Sequence, residues 1–192
     1  MLIKTLCSMR HEAQNCECLV QRHASGFQIR VDILVLGKVC GGDESMAKIL
    51  VLYYSRTGNT EKMAQAVADG AKSVSGTKVE LNYYVHEEEL AGYDAVLVGT
   101  STYHHDMPGT IKNYFEDVAV KNVSLSGKVG AAFGSYGWSG EASRLVLEIL
   151  KNKFRMRVSE PPLLAVYTPD QAALEKCFAL GKRVAESLIH EA

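Results

Sequence analysis

From Met46 onward, short apolar runs alternate with stretches whose apolar residues recur every three or four positions. Residues 49–54 form a continuous apolar run, the pattern of a strand buried on both faces. Residues 61–74 place Met63, Ala64, Val67, Ala71 and Val74 on one helical face, closed by Gly76. Residues 77–85 alternate like a strand with one exposed face, and residues 95–99 form a second buried run. Ile111, Tyr114, Phe115 and Val118 mark a helix, residues 129–133 a fourth strand, and Val146, Ile149, Leu150 and Phe154 another helix. Residues 163–167 read as a fifth strand. Leu174, Cys177, Phe178, Gly181, Val184, Ala185 and Leu188 stripe a final helix. The order β-α-β-β-α-β-α-β-α predicts an α/β fold, a doubly wound open sheet with one short connection after its second strand. Ligands of such sheets sit beyond the carboxyl ends of the strands, so the loops after Tyr54, Gly99 and Phe133 are the candidates for chemistry.

Before Met46 no helical face or long alternation is traceable apart from residues 29–39. Gly41, Gly42, Asp43, Glu44 and Ser45 form a polar run of linker type. The chain therefore divides into an N-terminal extension, residues 1–45, and a domain, residues 46–192. Cys7, Cys16, Cys18 and Cys40 all fall in the extension, in a C-x8-C-x-C-x21-C spacing that matches structural metal sites poorly. The extension reads in three ways: a small metal module, a poorly ordered tail, or a segment that is not native. On the last reading Gly41-Gly42-Asp43 is a translated ribosome-binding sequence, and Met46 is the start.

The first candidate loop is Ser55, Arg56, Thr57, Gly58, Asn59 and Thr60, with Glu61 opening a helix. Unpaired N–H groups at a helix start carry the positive end of its dipole. Three hydroxyls, an amide and a glycine at that place suit a phosphate monoester held without a metal. A capped helix, with Thr57 or Asn59 as N-cap, is the plainer reading. The loop lacks the lysine of a nucleoside-triphosphate loop and the glycine spacing of a dinucleotide loop. It also lacks a phosphatase's cysteine and a receiver domain's aspartate. The second loop carries Ser101, Thr102, Tyr103, His104 and His105; the third carries Ser135, Tyr136, Gly137, Trp138 and Gly140. Both offer aromatic surface, so a flat aromatic ligand between them, with its phosphate in the first loop, accounts for all three segments. Adjacent histidines diverge and no third ligand accompanies them, so no metal is expected. His104 and His105 are expected as polar neighbours that tune the ligand's protonation.

On these residues the chain resembles the flavodoxin family. Ser55 to Thr60 match the phosphate loop, Thr100 to His104 the first flavin-flanking loop, and Ser135 to Trp138 the second. The stretch from Phe133 to Ala142 looks most like the flavodoxin domain of type A, or flavodiiron, flavoproteins, whose diiron domain 45 residues cannot encode. The resemblance covers residue 47 onward and implies a five-stranded parallel sheet of order 2-1-3-4-5 in its short-chain form. It also implies noncovalent FMN and one- or two-electron transfer. Carried over by position, Ser55, Thr57, Asn59 and Thr60 bind the phosphate with the loop's backbone, while Tyr103 and Trp138 or Tyr136 flank the ring.

Charge adjusts the expected function. Of 21 basic and 22 acidic residues, five of each precede Met46, leaving 16 and 17 beyond it. A balance this even excludes general nucleic-acid binding, which needs a basic stripe. It also gives weak steering toward a basic redox partner, unlike the strongly acidic dedicated carriers. The first expectation is an electron carrier between redox partner proteins. The second is an NAD(P)H-dependent reductase of quinones or other small acceptors, and the third a binding module without redox activity. The Glu87-Glu88-Glu89 run is expected as a solvated turn. No apolar run has membrane-spanning length, since Arg30 and Asp32 break residues 29–39, and no unbroken apolar stretch follows Lys4 as in a secretory signal. Five cysteines, an odd and clustered set, make a reducing cytoplasm the expected location.

Overall fold

The computed structural model of the protein describes residues 46–191. All three readings of the N-terminal extension lie outside the described residues. The elements are β1 (Ala47–Tyr53), α1 (Asn59–Lys72), β2 (Thr77–Asn82), a 3-10 turn (Glu87–Gly92), β3 (Ala95–Gly99) and α2 (Gly109–Val120). They continue as β4 (Val129–Tyr136), α3 (Glu141–Glu148), a π-helical turn (Ile149–Lys153), β5 (Arg157–Val166) and α4 (Gln171–Glu191). The strands make one sheet in the order β2-β1-β3-β4-β5, with every neighbouring pair parallel.

The unbroken apolar runs make sense once both faces are covered. Ile49 and Val51 of β1 pack with Met63, Val67, Leu180 and Val184 of α1 and α4. Leu50 and Leu52, pointing the other way, pack with Phe115, Val118 and Val146 of α2 and α3. Each such side chain fully buried contributes about 1.5–3 kcal/mol. Behind the sheet α1 and α4 cross at backbone contact. A Cβ on Gly181 would run into the Val67 carbonyl, and one on Gly70 into the Phe178 carbonyl.

Three of the boundary differences from the expectation have a plain physical cause. β4 runs on to Tyr136, because Phe133, Gly134, Ser135 and Tyr136 pair with Leu163, Leu164, Ala165 and Val166. β5 starts at Arg157, not at residue 163. Its register skips between the Ala131–Ser159 and Phe133–Leu163 pairs, leaving Glu160, Pro161 and Pro162 outside the ladder. Proline has no N–H for a ladder bond, so the strand is interrupted where its sequence pattern is. β2 ends at Asn82, opposite Leu52, and Tyr83 and Tyr84 beyond it are exposed.

The acidic run is a correction. Glu88 and Glu89 are exposed, but Glu87 is buried. It accepts from Lys121 Nζ at 2.9 Å and from the Tyr84 hydroxyl at 3.1 Å. The Lys121 bond, foremost, holds the Glu87 carboxyl down at about 2 from an ordinary 4.5. A depressed carboxyl stabilises the fold above its unfolded value and loses that contribution as pH falls through the folded one. Glu87→Gln is therefore expected to melt below the wild type at neutral pH. The gap should close as pH is lowered from 4.5 toward about 2. Thermal melts of both proteins across that range check it; a gap independent of pH would contradict the assignment.

Candidate functional site

β1, β3, β4 and β5 all end at one edge of the sheet. The chain leaves β1 for β2 on one side and β3 for β4 on the other, which is the switch point where a cleft opens. A cavity of about 230 Å³ lies at that edge. It is lined by Thr57 and Asn59 of the first loop, Ser101, Thr102 and Tyr103 of the second, and Ser135, Tyr136 and Gly137 of the third. Three segments far apart in the chain, each singled out by its residue types, thus share one cavity. Tyr167, just past β5, is the remaining lining residue; the sequence marked it only as the last residue of the fifth strand, not as a site residue.

The first loop is built around Gly58. It is the N-cap of α1 at φ 82°, a left-handed conformation that L side chains rarely adopt. No side chain caps the helix. The hydroxyls and amide of this loop are thus not used on the helix end, against the plainer reading that Thr57 or Asn59 is the N-cap. The Ser55 hydroxyl is buried with no hydrogen-bond partner among the described residues. A buried hydroxyl without a partner is unfavourable by about 1–3 kcal/mol, and an acceptor bound in the loop would remove that penalty. Arg56 is exposed beside it.

Thr60 stands beneath the loop and is wholly buried. Its hydroxyl lies 2.9 Å from that of Ser101 and 3.0 Å from that of Ser135. One side chain therefore ties the first loop to the second and third. Gly134 adds a backbone constraint: a Cβ there would run into the Thr100 carbonyl, so β3 and β4 meet closely just under the site.

His104 and His105 occupy the tip of a two-residue turn, at φ 48° and 63°. Tyr103 and Asp106 exchange both backbone hydrogen bonds at 2.9 Å around them. Both histidines are exposed and neither lines the cavity. His105 Nδ1 sits 3.1 Å from Glu141 Oε1. A bond from Ser139, and then that from His105, hold the Glu141 carboxyl below its usual range. The Ala142 N–H meets Thr102 Oγ1 at 3.4 Å, a second tie from α3 to this loop. No cluster of metal-ligating side chains occurs among the described residues. Gly140 caps α3 in the left-handed conformation at φ 70°. Trp138 is 87% exposed and stands outside the cavity lining, with Tyr136 and Tyr103 inside it.

Tyr167 has φ 51°, and its N–H donates to the Tyr136 carbonyl at 2.7 Å. A left-handed residue other than glycine carries about 1–2 kcal/mol of strain.

A doubly wound sheet with a hydroxyl-rich loop at the start of its first helix and an aromatic-lined cavity at its switch point defines a mononucleotide-binding α/β domain. The comparisons with known proteins narrow that class. The flavodoxin family model matches residues 51–181, and the chain belongs to the flavodoxin family. The type A flavoprotein of Rhodobacter capsulatus is 33% identical over 177 residues, covering 88% of this chain and 40% of that protein. That match takes in more of the chain than lies after Met46. The flavodoxin of Aquifex aeolicus is 33% identical over 162 residues, covering 73% of this chain and 86% of its own. Among solved structures, an archaeal flavodoxin superposes with TM-score 0.69 at 36% identity, covering 74% of this chain and 99% of its own. The rubredoxin:oxygen oxidoreductase of Desulfovibrio gigas superposes with TM-score 0.68 at 25% identity, over 77% of this chain and 38% of its own. The chain thus spans about two fifths of the length of the type A flavoproteins it matches. FMN is the cofactor of the family and of this chain, and electron transfer is the general function of that family. No described helix is long and apolar enough to cross a membrane.

Proposed function

We propose that residues 46–192 form an FMN domain that carries electrons between redox partner proteins. When bound, FMN supplies the electron chemistry; the chain binds and orients it. On this reading Ser55, Thr57 and Asn59, with the backbone from Arg56 to Thr60, hold the phosphate. Ser101, Thr102, Tyr103, Ser135, Tyr136 and Gly137 border the ring, with Tyr103 and Tyr136 against its faces, while His104, His105 and Trp138 stand outside the cavity. The observation that carries the reading is the single cavity shared by all three loops, the first of which also holds the partnerless Ser55 hydroxyl. A cytoplasmic location belongs to the same reading.

The test separates phosphate from ring. Each charge-assisted bond to a dianion is worth about 1.5–3 kcal/mol. Thr57→Ala should therefore weaken FMN by roughly one to two decades and leave riboflavin binding unchanged. Fluorescence titration with both ligands measures it. Equal wild-type affinity for FMN and riboflavin would remove the phosphate from this loop.

The near balance of 16 basic and 17 acidic groups after Met46 favours a second reading, a reductase that takes electrons from NAD(P)H and passes them to a quinone or other small acceptor. A relative from Moorella thermoacetica, 31% identical, carries the name nitric oxide reductase, and the match covers 36% of its length. Anaerobic bleaching of the bound flavin by NADH or NADPH alone distinguishes this reading from the carrier.

A further inference from the structure

We infer that Tyr167 is a wall of the flavin site, its ring closing the cavity from the β5 side against the isoalloxazine. The inference rests on the FMN reading of that cavity. Tyr167 lines it together with residues of all three loops. The side chain is 66% exposed, so burial in the core does not explain why a tyrosine stands there. Its backbone is left-handed, a conformation in which glycine or asparagine is the ordinary choice. An aromatic residue in that conformation and that exposed is most simply explained by something its ring touches.

The ring is also held in place. On one side the Tyr167 N–H is bonded to Tyr136 of β4. On the other the chain reaches α4 within three residues. There Pro169 is buried, and Asp170 Oδ1 accepts from the Ala173 N–H at 2.7 Å. The connection is thus anchored at both ends, which fixes the backbone from which the ring projects into the cavity lining. Its edge lies over Gly137, where a Cβ would come within 2.9 Å of Tyr167 Cε1. Gly137 in turn belongs to the loop expected to border the ring of FMN. Tyr167 therefore braces that loop and adds an aromatic face of its own beside Tyr136 and Tyr103.

The left-handed backbone makes the test clean. Tyr167→Gly removes the ring and relieves the left-handed strain, which offsets the lost loop contact and the extra freedom of the unfolded chain, so the variant is expected to melt close to the wild type. It should nevertheless bind FMN and riboflavin each about tenfold more weakly, because the lost contact is with the ring both ligands share. Tyr167→Phe should keep wild-type affinity for both, since the aromatic face makes the contact. Unchanged affinity for both ligands in Tyr167→Gly would overturn the inference. So would a loss confined to FMN, which would put Tyr167 at the phosphate. If the wild type failed to prefer FMN over riboflavin, the phosphate-loop reading would fall; a parallel tenfold loss in Tyr167→Gly would still support the ring contact.

Discussion

Gly181→Ala is expected to lower stability by about 2 kcal/mol, although it replaces a helical glycine by the best helix former. Two opposite effects compete. In a free helix the change would gain about 1 kcal/mol. Here the new methyl meets the Val67 carbonyl, with the Ala71 nitrogen close behind. Backbone cannot rotate away as a side chain can, so α1 and α4 must separate. Overpacking of this kind typically costs about 1–3 kcal/mol. Separation also loosens Met63, Val67, Leu180 and Val184 against the sheet, which tips the balance to a net loss. For a domain of about 150 residues that is a fall of roughly 4–8 °C in melting temperature. Gly70→Ala should act in the same direction, since its methyl would meet the Phe178 carbonyl. The double variant should lose less than the sum, because both push apart the same two helices. Gly109→Ala is the control: it opens α2 with nothing within 4 Å. Calorimetry on the four variants and the wild type decides, and a melting point for Gly181→Ala at or above the wild type would show that the helices are not in backbone contact.

The second large effect is expected at Thr60. Thr60→Val keeps the shape and removes the hydroxyl. The serine hydroxyls at 101 and 135 then lose the partner that joins them, and Ser135 is only 7% exposed, so water cannot readily replace it. A buried polar group left without a partner costs about 1–3 kcal/mol. The functional effect should exceed the stability effect in kind: the three loops lose their common tie, so affinity for both FMN and riboflavin falls. This parallel loss distinguishes Thr60, beneath the site, from Thr57, whose replacement should affect FMN alone. Thr60→Ser should restore most of both properties. Melts and flavin titrations measure the two effects, and a Thr60→Val protein with wild-type flavin affinity would refute the role of the tie.

What could be read in advance followed from chemistry that is local in sequence. The buried runs of β1 and β3 alternate between two covered faces, so their apolar continuity was itself the signal. The loop at Ser55 to Thr60 was legible because hydroxyls, an amide and a glycine at a strand-to-helix turn are a chemical pattern. The first half of β5 was not legible. It is an edge strand interrupted by Pro161 and Pro162 and only partly buried, so it has neither a covered face nor an unbroken run. Gly134 and Ser135 read as a loop because glycine and serine favour turns, whereas tertiary pairing with β5 draws them into the sheet. Glu87 looked like its two neighbours. The lysine that buries it lies on a different element, at Lys121, just past the end of α2. Tyr167 read only as a strand end and Gly181 only as part of a helical stripe for the same reason: the contacts they make join segments that no spacing rule connects.

The interruption in β5 also bears on how copies of the protein meet one another. A strand at the end of a sheet presents unpaired N–H and C=O groups that can recruit a strand from a second molecule. Consecutive residues of a strand point their backbone groups to opposite sides. Two prolines in succession therefore delete a donor from the open side as well as from the side facing β4. At the other end of the sheet β2 carries Lys78 and Glu80, 3.4 Å apart, whose charges disfavour a dry, stacked partner. Among the described residues both margins of the sheet thus carry features that disfavour the recruitment of a strand from a second copy.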